Sequence, residues 1–443
     1  MKTNTKTKTP AVYNHEGVRA VRSNVNTQLR RSVLSCMLWE DSFYESGETI
    51  AERISKLVKQ SKAEDVAALA KQARTEFKLR HVPLLLVREM ARNPNQRGLV
   101  AETLNGVIQR ADELAEFLAI YWKDGKDQPL AAQVKKGLAK AFTRFDEYAL
   151  AKYNREGDVT LKDVLFLCHA TPVDKKQEKL WKKLINDELK TPDTWEVALS
   201  GGADKKATFE RLIKKDDLGA LALLRNLRGM TDAGVDRDTI NKAILSMKAE
   251  RVLPFRFIAA ARYAPQFEPQ LEQAMFKCLE GMEKLGGKTV VLIDTSPSMA
   301  AKVSGKSELS RKDAAFGLAV LARELCEDVE IWAFANEAKE VPARRGFALS
   351  EAIARAVPSN GTKLGHAIRA VSGRYDRLIV ITDEESQDAV GSPDKGKLAY
   401  MLNVSTSQNG VGYGAWKRID GWSESTINFI VQSEKEDSEE VKD

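Results

Sequence analysis

The periodicity of the chain changes at Gly286-Gly287, and this change constrains the fold more than any other feature. Beyond it, Lys288-Thr-Val-Val-Leu-Ile-Asp294 is a compact β-branched run, the pattern of a strand covered on both faces. Helical spacing follows from Arg311 to Cys326, and Val329-Glu-Ile-Trp-Ala-Phe-Ala335 then alternates like a strand. Two further helical stretches, from Leu349 to Val357 and from Leu364 to Ser372, precede another buried strand, Leu378-Ile-Val-Ile-Thr382. Alternation of this kind predicts a doubly wound parallel sheet, in which ligands gather at the carboxyl ends of the strands.

Before the break, residues 20–285 follow helical grammar. Apolar residues recur at three and four spacings, as in Val134, Leu138, Ala141, Phe142 and Phe145, or Leu180, Trp181, Leu184 and Ile185. Turn chemistry interrupts the pattern at Asn93-Pro94-Asn95, Asp124-Gly125-Lys126, Glu156-Gly157-Asp158, Thr171-Pro172, Thr191-Pro192, Gly201-Gly202 and Pro265. Segments of this length suit stacked helix pairs of HEAT type. The organisation expected is a flexible segment over 1–19, an all-α domain over 20–285, an α/β domain over 286–432 and a disordered tail over 433–443. The tail carries six acids against two lysines.

Composition narrows the function classes. No apolar run approaches the ~20 residues of a membrane span, and the opening MKTNTKTKTP lacks the apolar stretch of a secretory signal, so a cytoplasmic protein is expected. Cys36, Cys168, Cys278 and Cys326 lie far apart and read as reduced thiols. Net charge is +6, but residues 1–287 carry 49 Lys+Arg against 39 Asp+Glu, whereas residues 288–443 carry 20 against 24. A basic first part suggests an anionic partner.

The first buried strand ends in Asp294-Thr-Ser296-Pro-Ser298. Asn360-Gly-Thr362-Lys-Leu-Gly365 opens a later helix, and Ile381-Thr-Asp383 ends a later strand. All three belong at one sheet edge, where they offer two carboxylates and three hydroxyls. Mg²⁺ takes octahedral oxygen ligands at ~2.0–2.1 Å and keeps several waters. Direct ligation by Ser296, Ser298 and Thr362, with Asp294 and Asp383 acting partly through water, leaves the ion charge for an incoming carboxylate or phosphate. The pattern resembles the metal-ion-dependent adhesion site of the von Willebrand factor A family. That resemblance implies that Asp294, Ser296, Ser298, Thr362 and Asp383 are its five positions. Gly287-Lys288-Thr289 and Gly305-Lys306-Ser307 fall short of a phosphate loop, since Met282 and Ala300 stand where its first glycine belongs.

Within 134–145, Lys136, Lys140 and Arg144 fall on one side of a helix, away from the apolar stripe. Like charges at this spacing repel, and a polyanion would offset the repulsion. Lys71, Arg74 and Lys78 form a second ridge near Arg88, Arg92 and Arg97. Tyr148, Tyr153 and Trp122 are aromatic residues that can stack on bases.

The segment VKKGLAKAFTRFDEYALAKYNREGDVTLKDVLFLCHATP (134–172) resembles the core of the TROVE domain of the Ro autoantigen family, and LRHVPLLLVREMARN (79–93) is similar to it as well. A TROVE module followed by an A domain is that family's arrangement. The resemblance implies a closed ring of HEAT-like helix pairs bridged by the A domain, with RNA binding and no catalysis. Single-stranded 3′ ends of misfolded non-coding RNA would enter the hole, and a small Y RNA would bind outside. It further implies that Lys136, Lys140, Lys152 and His169 contact RNA, with Arg144, Arg155 and Lys162 as neighbours. An exoribonuclease such as polynucleotide phosphorylase is an implied partner, and a monomer is expected. The competing reading is a metal-dependent protein-interaction module, in which the A domain recruits a carboxylate-bearing partner. An enzyme has the least support, because the four scattered histidines form no nucleophile–base set.

Overall fold

A computed structural model of the protein describes residues 12–14, 16–22, 24–34, 47–125, 129–248, 252, 254–280, 282–303, 309–405, 411–421, 430 and 434. Contacts divide the chain into two compact units. One joins Met1–Ile50 to Leu279–Asp443, and the other is Ala51–Cys278. No described helix is long and apolar enough to cross a membrane.

The first unit is built on strands β1 (Val12–Tyr13), β2 (Arg19–Arg22), β3 (Leu285–Asp294), β4 (Cys326–Phe334), β5 (Ala338–Glu340), β6 (Arg377–Thr382), β7 (Leu398–Asn403), β8 (Val411–Gly412) and β9 (Lys417–Asp420). Six of them form a sheet ordered β5-β4-β3-β6-β7-β9, parallel except for the β5 edge. A mostly parallel sheet, the coarser part of that expectation, is therefore present. Its order reverses at β3, which is flanked by β4 and β6, and the carboxyl end of such a switch point is where a crevice opens. Val290 to Asp294 and every residue of β6 are buried, as their continuous apolar runs require. The sequence reading found β3, β4 and β6 but not β5, β7 or β9.

Residues 12–14 and 16–19, expected in a flexible leader, instead carry β1 and the start of β2, which join β8 in a separate antiparallel sheet. The helix Val25–Leu34 also belongs to this unit rather than to the all-α domain, and its Arg31 pairs with Glu384. Glu434, assigned to the disordered tail, accepts hydrogen bonds from Arg377 Nε at 2.6 Å and the Tyr400 hydroxyl at 3.0 Å. The rest of the tail, Cys36 and Gly305-Lys306-Ser307 lie outside the described residues.

The second unit consists of helices among its described residues, from the 51–60 part of Gly47–Gln60 to Glu268–Lys277. Its short, regular pieces have a local cause. The helices Leu161–Leu167, Lys175–Ile185, Trp195–Ser200, Lys205–Lys214 and Ala220–Asp232 all end in the same way. His169, Asp187, Gly202, Asp216 and Gly234 each adopt a left-handed φ, and two successive amides turn back onto carbonyls of the last turn. Thr160, Asp174, Thr194 and Asp204 cap the amino ends of the first four helices through their side chains. The turn signals read from sequence therefore mark real helix boundaries.

Candidate functional site

Each unit carries one candidate site. In the sheet unit, all three segments of the oxygen-rich constellation converge on the carboxyl edge of β3 and β6. Ile293 pairs with Ile381, so the next residues, Asp294 and Thr382, lie side by side. The Thr382 hydroxyl donates to Asp294 Oδ2 at 2.7 Å, and the Ser296 amide donates to Oδ1 at 2.8 Å. Thr362 is tied to the loop after β6, since the Gln387 amide donates to its carbonyl at 2.7 Å. The Ser359 hydroxyl donates to the Thr295 carbonyl at 2.6 Å, joining the segment that carries Thr362 to the end of β3.

Close packing fixes this junction. A Cβ on Gly365 would come within 2.0 Å of the Ala389 carbonyl oxygen, so only glycine lets the helix Leu364–Val371 approach that loop. Asp388 accepts from the Gly365 and His366 amides, both at 2.8 Å, and so places a carboxylate on the amino end of the helix.

Asp294, Ser296, Thr362 and Asp383 are all buried. Burial, and then the charge of Asp383, push the Asp294 carboxyl above its ordinary range. Asp383 faces Arg311, whose Nη1 lies 3.3 Å from Oδ2, and both side chains are buried. Lys312 donates to Ser359 Oγ at 3.3 Å, and burial pushes its ammonium down. Sequence reasoning missed Thr382 and Arg311. Thr382 could have been found from its place beside Asp383, whereas Arg311 stands 72 positions from its partner and gives no local signal.

One pair of the five positions has the spacing of adjacent ligands on a small divalent cation. Ser296 Oγ and Ser298 Oγ are 3.2 Å apart, and two adjacent ligands on an octahedral ion at ~2.1 Å would stand ~3.0 Å apart. Asp294 is held rigidly by its two donors, as suits a carboxylate acting through water. Among the described residues, no group of three or more His, Cys, Asp or Glu could hold a metal ion, so any ion here would depend on the hydroxyls.

In the helical unit, Ala132–Phe142 buries Val134, Leu138, Ala141 and Phe142 completely. Burying each large apolar side chain contributes roughly 1.5–3 kcal/mol, which sets the rotation of the helix. A Cβ on Gly137 would meet the Ala101 carbonyl at 3.0 Å, so that face lies almost on its neighbour's backbone. Lys136 and Lys140 consequently point into solvent, and neither ammonium has a hydrogen bond or ion pair among the described residues.

The other cations differ. The helix stops at Phe142, so the expected ridge does not continue to Arg144; that guanidinium donates to the Asn105 carbonyl at 2.7 Å and also to the Ile108 carbonyl. Lys162 pairs with Asp187, Lys152 lies against two tyrosine rings, and Arg155 is exposed. His169 is exposed with φ 52°, at a helix-ending position that favours glycine. The second ridge is largely neutralised. Lys71 pairs with Glu102 at 2.6 Å and Arg74 with buried Glu113 at 2.5 Å, while Arg88 and Arg92 both pair with Asp124. Lys78 donates to the Thr75 carbonyl and Arg97 to the Ala91 carbonyl.

Residues 185–289 match the family model of the TROVE domain, a stretch that begins beyond 79–93 and 134–172. The crystal structure of Deinococcus radiodurans RO (RSR) protein is similar, with a TM-score of 0.60 at 17% identity over 90% of this chain and 97% of that one. No curated protein sequence matches the chain. The family model covers residues 185–289 alone, and at 17% identity the structural match shows a shared fold.

Proposed function

We propose that this chain, related to the Ro/TROVE proteins, binds single-stranded 3′ ends of misfolded non-coding RNA and a small Y-type RNA, in RNA quality control or storage. It would act without catalysis, as a cytoplasmic monomer, and hand RNA to an exoribonuclease such as polynucleotide phosphorylase. The observation that carries the reading is the contrast between cations. Those of 71–97 are engaged internally, whereas Lys136 and Lys140 stand exposed without an ion pair among the described residues. Lysines on phosphates give affinity with little sequence preference, and shape then separates strands from duplexes.

The test is a binding titration with a hairpin bearing a single-stranded 3′ tail and with its blunt counterpart, between 50 and 200 mM salt. Tail-dependent binding that weakens steeply with salt supports the reading, with a log–log slope of about −0.7 per phosphate contact. Equal binding of both RNAs, or of neither, defeats it.

His169 offers a second check. Glycine removes a left-handed strain of ~1 kcal/mol at this position, so His169→Gly is expected to melt no lower than the parent. RNA affinity should nevertheless fall several-fold if the imidazole contacts RNA. Thermal melts beside gel shifts separate the two effects, and unchanged affinity removes His169 from the interface.

The sheet edge supports a companion reading, in which a von Willebrand factor A-like domain holds Mg²⁺ through Asp294, Ser296, Ser298, Thr362 and Asp383 and recruits a carboxylate-bearing protein. When bound, the cation would supply a Lewis-acid position for that carboxylate. Asp294 and Asp383 would provide the charge, and the hydroxyls the inner ligands. Asp294→Asn keeps an acceptor oxygen for only one of Ser296 and Thr382, and is expected to weaken Mg²⁺ binding by about tenfold or more while RNA affinity stays within about twofold. Calorimetry with Mg²⁺ decides; undiminished heat of binding rules out this metal site.

A further inference from the structure

We propose that Tyr148, with Tyr153 and Lys152, forms a platform on which an unpaired base of single-stranded RNA stacks. The inference rests on the RNA-binding reading above and adds a kind of contact that cationic ridges do not supply.

The helix Glu147–Tyr153 is short, and only Leu150 along it is buried. Tyr148 leaves 52% of its surface in solvent, although it follows directly on a helix that buries four apolar side chains. Exposure alone does not single it out, since Phe166 and Tyr263 of the same unit are 58% and 47% exposed. The surroundings are specific. Lys152 Nζ lies 5.9 Å from the centre of the Tyr148 ring and 5.8 Å from that of Tyr153, and the Arg110 guanidinium lies 4.7 Å from the Tyr153 ring. Two aromatic faces interleaved with two cations match the way single strands are held, with bases on rings and phosphates beside ammonium or guanidinium groups.

Charge divides the labour further. Arg110 already pairs with Asp112 at 2.7 Å, so Lys152 is the cation left for a phosphate. The platform is a base site, adjoining in sequence the phosphate-binding face of Lys136 and Lys140.

Fluorescence anisotropy on the full chain tests this, with a single-stranded oligoribonucleotide and an abasic oligomer of the same length. Tyr148→Ala should weaken binding of the normal oligomer by about ten-fold, with the salt slope unchanged, because stacking releases no counterions. Tyr148→Phe keeps the ring and should bind like the parent. The parent should bind the abasic oligomer about as weakly as Tyr148→Ala binds the normal one. Melting curves confirm that the variants fold. The inference is overturned if Tyr148→Ala binds like the parent, if Tyr148→Phe loses as much as Tyr148→Ala, or if the parent does not distinguish the oligomers. Absence of any binding to either oligomer overturns the RNA-binding reading itself, a result distinct from all three.

Discussion

Reversing two charges, Lys136→Glu with Lys140→Glu, is expected to weaken single-stranded RNA binding by about 30- to 100-fold near 100 mM salt, and to flatten the salt slope by about 1.4. The magnitude follows from geometry. Both lysines are exposed on a helix whose opposite face is buried, so the helix cannot turn them away from a bound strand without unpacking Val134, Leu138 and Phe142. Reversal removes two phosphate contacts and adds two repulsions. It leaves the like-charge spacing of the pair as it was, so stability should change by no more than about 0.5 kcal/mol. Lys71→Glu is the informative control. Lys71 is held by Glu102, and its replacement should cost RNA affinity far less. Gel shifts across a salt series read all three proteins. Affinity of the double variant within about twofold of the parent, or an equal loss in Lys71→Glu, would remove this face from the interface.

Much of this arrangement was legible in the sequence because it is local. The buried strands of β3 and β6 are contiguous apolar runs, and the helix Ala132–Phe142 announces its buried face through spacing alone. Asp294, Thr362 and Asp383 could be placed at one edge because α/β alternation brings successive strand ends to the same side. What escaped was long-range. Asn14 donates to the Ser386 carbonyl at 2.8 Å across 372 positions, and nothing near either residue marks the pairing. The same reason hid the place of residues 12–34 in the sheet unit. β7 was different, since Ala399 to Leu402 is an apolar run that the reading passed over. β9, Lys417-Arg-Ile-Asp420, is too polar to read as a strand at all. The second basic ridge failed because charge was counted without partners: Arg74 looks solvated in sequence, yet it is buried against Glu113. Arg144 looked like the third tooth of a ridge because the periodicity was extended past the true end of the helix at Phe142.

The largest loss of stability is expected from Glu384→Ala. Glu384 follows Asp383 at the candidate metal edge, with φ 60°, and its carboxylate is buried between two arginines. Arg31, from the helix Val25–Leu34, lies 3.0 Å away, and Arg418 of β9 reaches the other side with Nε at 3.0 Å from Oε1. The side chains of Arg31 and Glu384 are 2% and 1% exposed, so water cannot replace the lost partner. Removing one member of such a buried set leaves uncompensated charge and costs ~3–5 kcal/mol. The backbone pulls the other way, because a left-handed residue without a role would be better as glycine by ~1 kcal/mol. Glu384→Gly should therefore be less damaging than Glu384→Ala, yet still well below the parent. The sign of that difference separates the ionic contribution from the conformational one. Replacing Arg31 and Glu384 together by Met and Gln removes two of the three charges and should recover only part of the loss, because Arg418 keeps its charge without its carboxylate. The structural consequence reaches the site. Glu384 joins the N-terminal helix to the loop that carries Asp383 and meets Thr362, so its loss should free residues 12–34 before the sheet itself opens. Hydrogen exchange on Glu384→Ala should show amides of β2 and of Val25–Leu34 exchanging faster while those of β3 and β6 stay protected. Uniform loss of protection across the sheet, or a melting curve that matches the parent, would show that the arginine clamp does not hold the segment in place.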